Sequence, residues 1–165
     1  LILMTPKSLL RHKLCVSQTD EFAGGTFQNA LPDPHPAKKT ERLVFCTGKG
    51  YYDLVQRRDE LDDKRTTIIR IEQLYPFDAE LVASLIEPFS SAKEVIWVQE
   101  ESENRGAWWF IRDRIQNLMG DRVVRYVGRP SSPSPATGSF RQHREELEQF
   151  LSQTFGTEKK DGEKS

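Results

Sequence analysis

The chain has 165 residues, 30% of them charged, with 24 lysines and arginines against 25 aspartates and glutamates. That balance argues against nucleic acid as a partner, because phosphate binding needs a basic excess on one face. Cys15 and Cys46 stand far apart with no Cys or His at ligand spacing, which argues against a disulfide framework or a zinc site and fits reduced thiols in an intracellular protein. No apolar run approaches the roughly 18–20 residues that span a bilayer, so no membrane partner is expected.

The length suits one domain with a loose arm at either end. Leu1-Ile2-Leu3-Met4 reads as a short strand; it is too brief, and lacks the basic flank, for a signal peptide. Starting on Leu within an apolar run, the chain reads as a piece of something longer. Lys7, Arg11 and Lys13 follow, and the Arg11 guanidinium suits forked contact with phosphate or carboxylate. Basic residues on a solvated linker are an equally good reading. Thr26-Phe27-Gln28-Asn29-Ala30-Leu31 is one extra candidate strand, and Pro32, Pro34 and Pro36 then mark a loop.

Residues 42–155 alternate short β-rich runs with amphipathic helical stretches. Leu43-Val44-Phe45-Cys46-Thr47 is continuously apolar up to Gly48, as in a strand covered on both faces. Tyr51, Leu54, Val55, Arg58 and Leu61 recur at helical spacing. Thr67-Ile68-Ile69-Arg70-Ile71 is the next strand, and Leu81, Val82, Leu85 and Ile86 mark a helix with Pro76 near its start. Val95-Ile96-Trp97-Val98 precedes a helix holding Trp108, Ile111, Ile115 and Leu118. Val123-Val124-Arg125-Tyr126-Val127 precedes a last helix with Leu147, Phe150, Leu151 and Phe155. Four strand–helix units in succession predict a mainly parallel sheet with helices on both faces. Residues 156–165, charged and without apolar anchors, predict a disordered tail.

In such a sheet ligands favour the crevice beyond the carboxyl ends of the strands. Four loops should meet there, around Gly48-Lys49-Gly50, Glu72-Gln73-Leu74-Tyr75, Gln99-Glu100-Glu101 and Gly128-Arg129-Pro130. The first sets a lysine before a helix N-terminus, a setting friendly to phosphate. It lacks the Walker and dinucleotide spacings, so a tight turn with a solvated lysine is the favoured reading. Glu100, Glu101 and Glu103 have no nucleophile or histidine beside them in sequence; helix-end electrostatics or a subunit contact explains them better than catalysis. His12, His35 and His143 are scattered and build no catalytic arrangement. Trp108 and Trp109 point about 100 degrees apart on a helix, so one of them should face outward.

Several segments, in order, resemble the C-terminal domain of the 2-oxoglutarate dehydrogenase family. They include Met4-Thr5-Pro6-Lys7-Ser8-Leu9-Leu10-Arg11-His12, Phe45-Cys46-Thr47-Gly48-Lys49 with Tyr51-Tyr52-Asp53-Leu54, and Arg70-Ile71-Glu72-Gln73-Leu74-Tyr75-Pro76-Phe77. Gln99-Glu100-Glu101 with Gly106-Ala107-Trp108 follows, then Tyr126-Val127-Gly128-Arg129-Pro130 with Ser134-Pro135-Ala136-Thr137-Gly138. Gly50 and Arg105 are modest departures.

The resemblance implies a three-layer α/β/α fold like the transketolase C-terminal domain, a five-stranded, mostly parallel sheet with one antiparallel strand, for which residues 26–31 are the candidate. Residues 1–4 would then be the last strand of a preceding thiamine-binding domain, residues 5–41 a linker and edge strand, and residues 42–155 the C-terminal domain proper. It implies a parent enzyme that uses thiamine diphosphate and magnesium to decarboxylate 2-oxoglutarate. The partners implied are the preceding thiamine-binding domains, a second copy in a homodimer, dihydrolipoyl succinyltransferase and dihydrolipoyl dehydrogenase. None of the catalytic, cofactor or metal residues would lie in this chain. An effector of the acetyl-CoA or AMP kind would favour Arg11, Lys49 and Arg129, with Lys7 less certain. The setting would be bacterial cytoplasm or mitochondrial matrix. A related 2-oxo acid such as 2-oxoadipate as substrate, or a stand-alone flavodoxin-like module, is the competing reading.

Overall fold

The computed structural model describes residues 1–157. Its centre is a five-stranded sheet in the order β1-β3-β2-β4-β5, with β1 at Ala30–Leu31, β2 at Arg42–Cys46, β3 at Thr66–Ile71, β4 at Glu94–Ser102 and β5 at Val124–Arg129. Strands β2 to β5 run parallel, and β1 adds to β3 antiparallel with Ala30 opposite Ile71 and Leu31 opposite Arg70. Five helices accompany them: α1 (Thr19–Gly24), α2 (Gly50–Glu60), α3 (Ala79–Ile86), α4 (Trp108–Met119) and α5 (Phe140–Phe155).

Two apolar layers follow from the two-residue period of the strands. Leu43, Phe45, Ile69, Val95 and Trp97 face one side and meet Val82 and Ile86 of α3 with Ile111 and Ile115 of α4. Val44, Cys46, Ile68, Ile96 and Val98 face the other side and meet Leu54 of α2 with Phe150, Leu151 and Phe155 of α5. Continuous apolar strands are what this demands, since a sheet covered twice has no wet face. The expected three-layer α/β/α architecture, mostly parallel with one antiparallel strand, is the one observed.

The corrections lie at the edges. The antiparallel strand keeps only the last two of residues 26–31, because Phe27 is fully exposed and Gln28 turns its amide back to Thr26. Residues 1–4 are exposed and pair with no strand among the described residues, and the expectation that they complete the sheet of a preceding domain is not tested by this chain alone. The start of α3 is set by Asp78, whose carboxylate accepts the Leu81 N–H at 3.0 Å, rather than by Pro76, which lies in the turn before it. Val123 is exposed and β5 begins one residue later. The tail expected at residues 156–165 falls mostly outside the described residues; Gly156, which is described, closes α5 in the left-handed conformation at φ 68°.

Burial separates this core from the arm. Among residues 1–28 none is buried, whereas Ile68, Ile69 and Ile71 are at most 1% exposed. Amides of the short 3-10 turn Lys7–Arg11 should therefore exchange with solvent orders of magnitude faster than those of β3. Equal protection of the two sets in a hydrogen-exchange experiment would refute this.

Candidate functional site: the carboxyl-end crevice

From β2 the chain steps to β3 on one side and later to β4 on the other, so the topology reverses between β2 and β4. At such a switch point the loops leaving adjacent strands diverge and open a crevice. A cavity of about 310 Å³ lies there, lined by Thr47 after β2, Leu74 and Tyr75 after β3, and Glu101, Ala107 and Phe110 around the β4–α4 connection. Tyr75 is 79% exposed and meets Phe110 edge-on with ring centroids 6.3 Å apart.

The β4–α4 connection is held by one side chain. Gln99 Oε1 accepts the indole N–H of Trp97 at 2.9 Å and the backbone N–H of Trp108 at 3.0 Å. Gln99 Nε2 donates toward the carbonyls of Glu101, Ser102 and Arg105 at 3.3, 3.2 and 2.8 Å. A buried amide thus caps α4, and no carboxylate stands in the first turn of that helix. The helix-end reading of Glu100, Glu101 and Glu103 is corrected accordingly. Gly106, at φ 64°, passes so close to Gln99 that a Cβ would lie 2.9 Å from Nε2. Tyr126 ties β5 to this connection, its hydroxyl placed between the carbonyls of Glu101 and Arg129 at 3.0 and 2.8 Å. Burial pushes that phenol well above its ordinary range, and the nearby Glu103 charge adds to it.

Charged groups gather beside the crevice. Lys49, at the N-cap of α2, holds Asp53 at 2.8 Å and Glu100 at 3.4 Å. Partial burial pulls the lysine down, but the Asp53 hydrogen bond and charge, with Glu100 behind them, outweigh it and leave the ammonium above its ordinary range. The other oxygen of Glu100 lies 3.8 Å from His143 Nε2 on α5. The sequence contained a signal for only one part of this cluster, the four-residue spacing of Lys49 and Asp53. Glu100 and His143 come together only through the fold.

Of the anion-binding candidates, Lys49 is engaged by two carboxylates and Arg129 by one, its Nε standing 2.6 Å from Glu146 Oε2. Lys7 and Arg11 are exposed on the 3-10 turn, with no side-chain hydrogen bond among the described residues. His12, next to Arg11, packs at a tilt against Tyr52 with ring centroids 5.1 Å apart, which brings the turn to the first turn of α2 and so to the neighbourhood of Lys49. Arg70 lies over the Tyr51 ring at 4.4 Å and donates to the Tyr52 hydroxyl at 3.3 Å, stiffening this platform. Trp109 is 56% exposed while Trp108 is buried, as their helical phase requires. Among the described residues no group of three or more His, Cys, Asp or Glu side chains is arranged to hold a metal ion, and no helix is long and apolar enough to cross a membrane.

The family described as 2-oxoglutarate dehydrogenase C-terminal matches residues 16–155. The 2-oxoglutarate dehydrogenase E1 component of Cupriavidus necator is 42% identical over 158 residues, covering 94% of this chain and 17% of the relative. A mitochondrial 2-oxoglutarate dehydrogenase of Caenorhabditis briggsae is 39% identical over 96% of this chain, and a mitochondrial 2-oxoglutarate dehydrogenase-like protein of Rattus norvegicus is 43% identical over 94% of it. The chain spans about a sixth of the length of the curated relatives it matches, 16% of the last two. With the switch-point fold and these matches together, the chain belongs to the 2-oxoglutarate dehydrogenase C-terminal family.

Proposed function

We propose that this chain is a non-catalytic assembly and regulatory domain of a 2-oxoglutarate dehydrogenase E1 component. The observation that carries the reading is the match across nearly the whole chain to one terminal portion of proteins so named. The parent enzyme would decarboxylate 2-oxoglutarate on thiamine diphosphate and magnesium and pass the succinyl group to a lipoyl arm. Its own thiamine-binding domains, a second copy of itself, dihydrolipoyl succinyltransferase and dihydrolipoyl dehydrogenase would be its partners. The crevice offers no cluster of carboxylates suited to a magnesium diphosphate, so no step of that chemistry is assigned to residues of this chain.

An anionic effector of the acetyl-CoA or AMP class would enter beside the Lys7–Arg11 turn. Lys49 would meet its phosphate with its third N–H, in competition with the charges of Asp53 and Glu100. Arg129 faces Glu146 through Nε, and its remaining N–H groups would be the ones to meet an anion.

The test is a chimera in which this chain replaces the matched segment of the Cupriavidus necator relative. It should restore 2-oxoglutarate decarboxylation that the truncated relative lacks. A folded but inactive chimera would refute the reading. In the same chimera an Arg11→Ala, Lys49→Ala double variant should weaken activation by acetyl-CoA or AMP about tenfold. Unchanged activation would remove the effector assignment and leave the parentage standing.

A further inference from the structure

At the amino end of the sheet a cleft of about 700 Å³ is lined by Arg58, Asp62 and Lys64, whose charges are already met within the chain by Asp33 and by one another. The unmet surface of the molecule is the arm. Resting on the E1 parentage above, we propose that residues 14–28 are a docking strip for an apolar surface of the polypeptide that precedes this domain in the parent enzyme. That preceding part then sits over the carboxyl end of the sheet.

Both ends of the strip are fixed to the domain. On one side His12 packs against Tyr52, in the first turn of α2 just beyond β2. On the other, Asn29 accepts hydrogen bonds from the backbone of Glu72 and Gln73, at the end of β3. The arm is thereby drawn along the carboxyl end of the sheet, yet no residue from 13 to 28 is buried. Val16, Phe22 and Phe27 are each at least 74% exposed, and Leu14 is about half exposed. Single exposed apolar residues are ordinary, whereas a run of them on a segment held in place marks an interface. Between Leu14 and Leu31 the only charged residues are Asp20 and Glu21. Glu21 is turned onto its own helix, where it accepts the Gln18 N–H at 2.6 Å. A strip of aromatic and aliphatic side chains with so little charge matches the centre of an interface rather than its rim.

Helix α1 makes the same point. It has six residues and buries none of them, while helices shorter than about 12–15 residues are marginal in water without packing. Its order needs a covering surface that this chain does not supply. The area agrees. The accessible surface is 11484 Å², against about 8,400 Å² for a compact monomer of this mass. Residues 158–165 can account for at most about 1,300 Å² of that surplus. What remains is about twice the roughly 800 Å² that one partner gives to a standard interface.

Continuity identifies the occupant. The chain covers 17% of one matched relative and 16% of another, and the matching family is described as C-terminal. The bulk of such a polypeptide comes before the domain and reaches it through the arm. A tethered surface acts at an effective concentration in the millimolar range, far above that of a second copy free in solution.

The test sets the chimera with the Cupriavidus necator relative beside the isolated 165-residue chain. In the chimera, amides of residues 16–28 should exchange at least about a hundredfold more slowly than in the isolated chain. A Phe22→Asp, Phe27→Asp double variant should restore fast exchange in the chimera. It should leave the melting temperature of the isolated chain unchanged, because both side chains are exposed there. Benzoylphenylalanine at position 22 should photo-crosslink to a peptide of the preceding segment. An active chimera whose arm exchanges as fast as in the isolated chain overturns the docking and leaves the parentage standing. A folded but inactive one with the same labile arm overturns both. Protection that grows with the concentration of the isolated chain, or crosslinks confined to this domain, would assign the strip to a second copy and overturn the proposal as well.

Discussion

An Asp33→Ala variant should lose about 3–5 kcal/mol of unfolding free energy, because it strands the Arg58 guanidinium in the interior without its counter-charge. Both side chains are almost wholly shielded, at 6% and 1% exposure for Arg58 and Asp33. The pair links the Pro-rich loop after β1 to the inner face of α2, and through the Ile68 N–H to β3. Removing both charges should be far less damaging. An Asp33→Leu, Arg58→Met double variant should recover most of the loss, with about 1–3 kcal/mol remaining for the orphaned Ile68 N–H. Urea unfolding of the two variants and the parent chain decides it. A single variant within 1 kcal/mol of the parent, on the same scale of about 3–5 kcal/mol, would show that the pair is not a structural strut.

Gln99→Leu should cost about 3 kcal/mol or more, since it leaves the Trp97 indole N–H and the Trp108 N–H without their acceptor and the Arg105 carbonyl without its donor, while the carbonyls of Glu101 and Ser102 keep the Tyr126 hydroxyl and the Arg105 N–H. The substitution preserves bulk, so a large effect would come from the hydrogen bonds rather than from a void. Gln99→Glu separates the two halves of the amide's role. Its carboxylate can accept but cannot donate, and it would face the carbonyls of Glu101, Ser102 and Arg105 while only 3% exposed. Such a carboxyl is held neutral by its surroundings, so its folded-state pKa lies above the unfolded one. Its stability is then greatest below the ordinary glutamate range and falls as pH rises through the folded pKa. A Gln99→Glu chain whose melting temperature is the same at pH 5 and pH 8 would show that Gln99 donates nothing of consequence.

The sequence made the middle of the fold legible and the margins not. Strands β2 and β3 were readable because both of their faces are buried, leaving unbroken apolar runs. Strand β4 was read four residues long yet extends over nine, since Glu94 and the segment from Gln99 to Ser102 continue the ladder with polar side chains. The edge strand was read too long because Thr26 and Phe27 have strand-forming side chains but no neighbour to cover them.

At the candidate site, Leu74, Tyr75 and Glu101 of the expected loops line the crevice, residues 48–50 and 128–130 do not, and the partners of Lys49 and Arg129 were not legible. Glu100 and Glu146 lie 51 and 17 positions away from them, and only the packing of β4 and α5 brings them near. The amino-end cleft had no local signal at all: Arg58 reads as a helix-face residue, and Asp33, 25 positions before it, as part of a proline-rich loop.

One reversed strand decides which end of the sheet feels the N-terminal arm. Because β1 runs against its neighbours, Ala30 sits beside Ile71, at the end of β3 where the crevice opens. Asn29, just before it, works as a clasp there. Its carbonyl accepts the N–H groups of Glu72 and Gln73 at 3.0 and 2.9 Å, and its amide reaches the Asp78 cap of α3 at 3.0 Å. Tension along the arm would therefore load the β3–α3 connection that carries Leu74 and Tyr75, the crevice wall itself. The amino-end cleft is anchored beyond that clasp through Asp33, and would be insulated from the same pull. In mechanical terms the arm is a lever on one rim of the sheet, and the other rim is the fixed base.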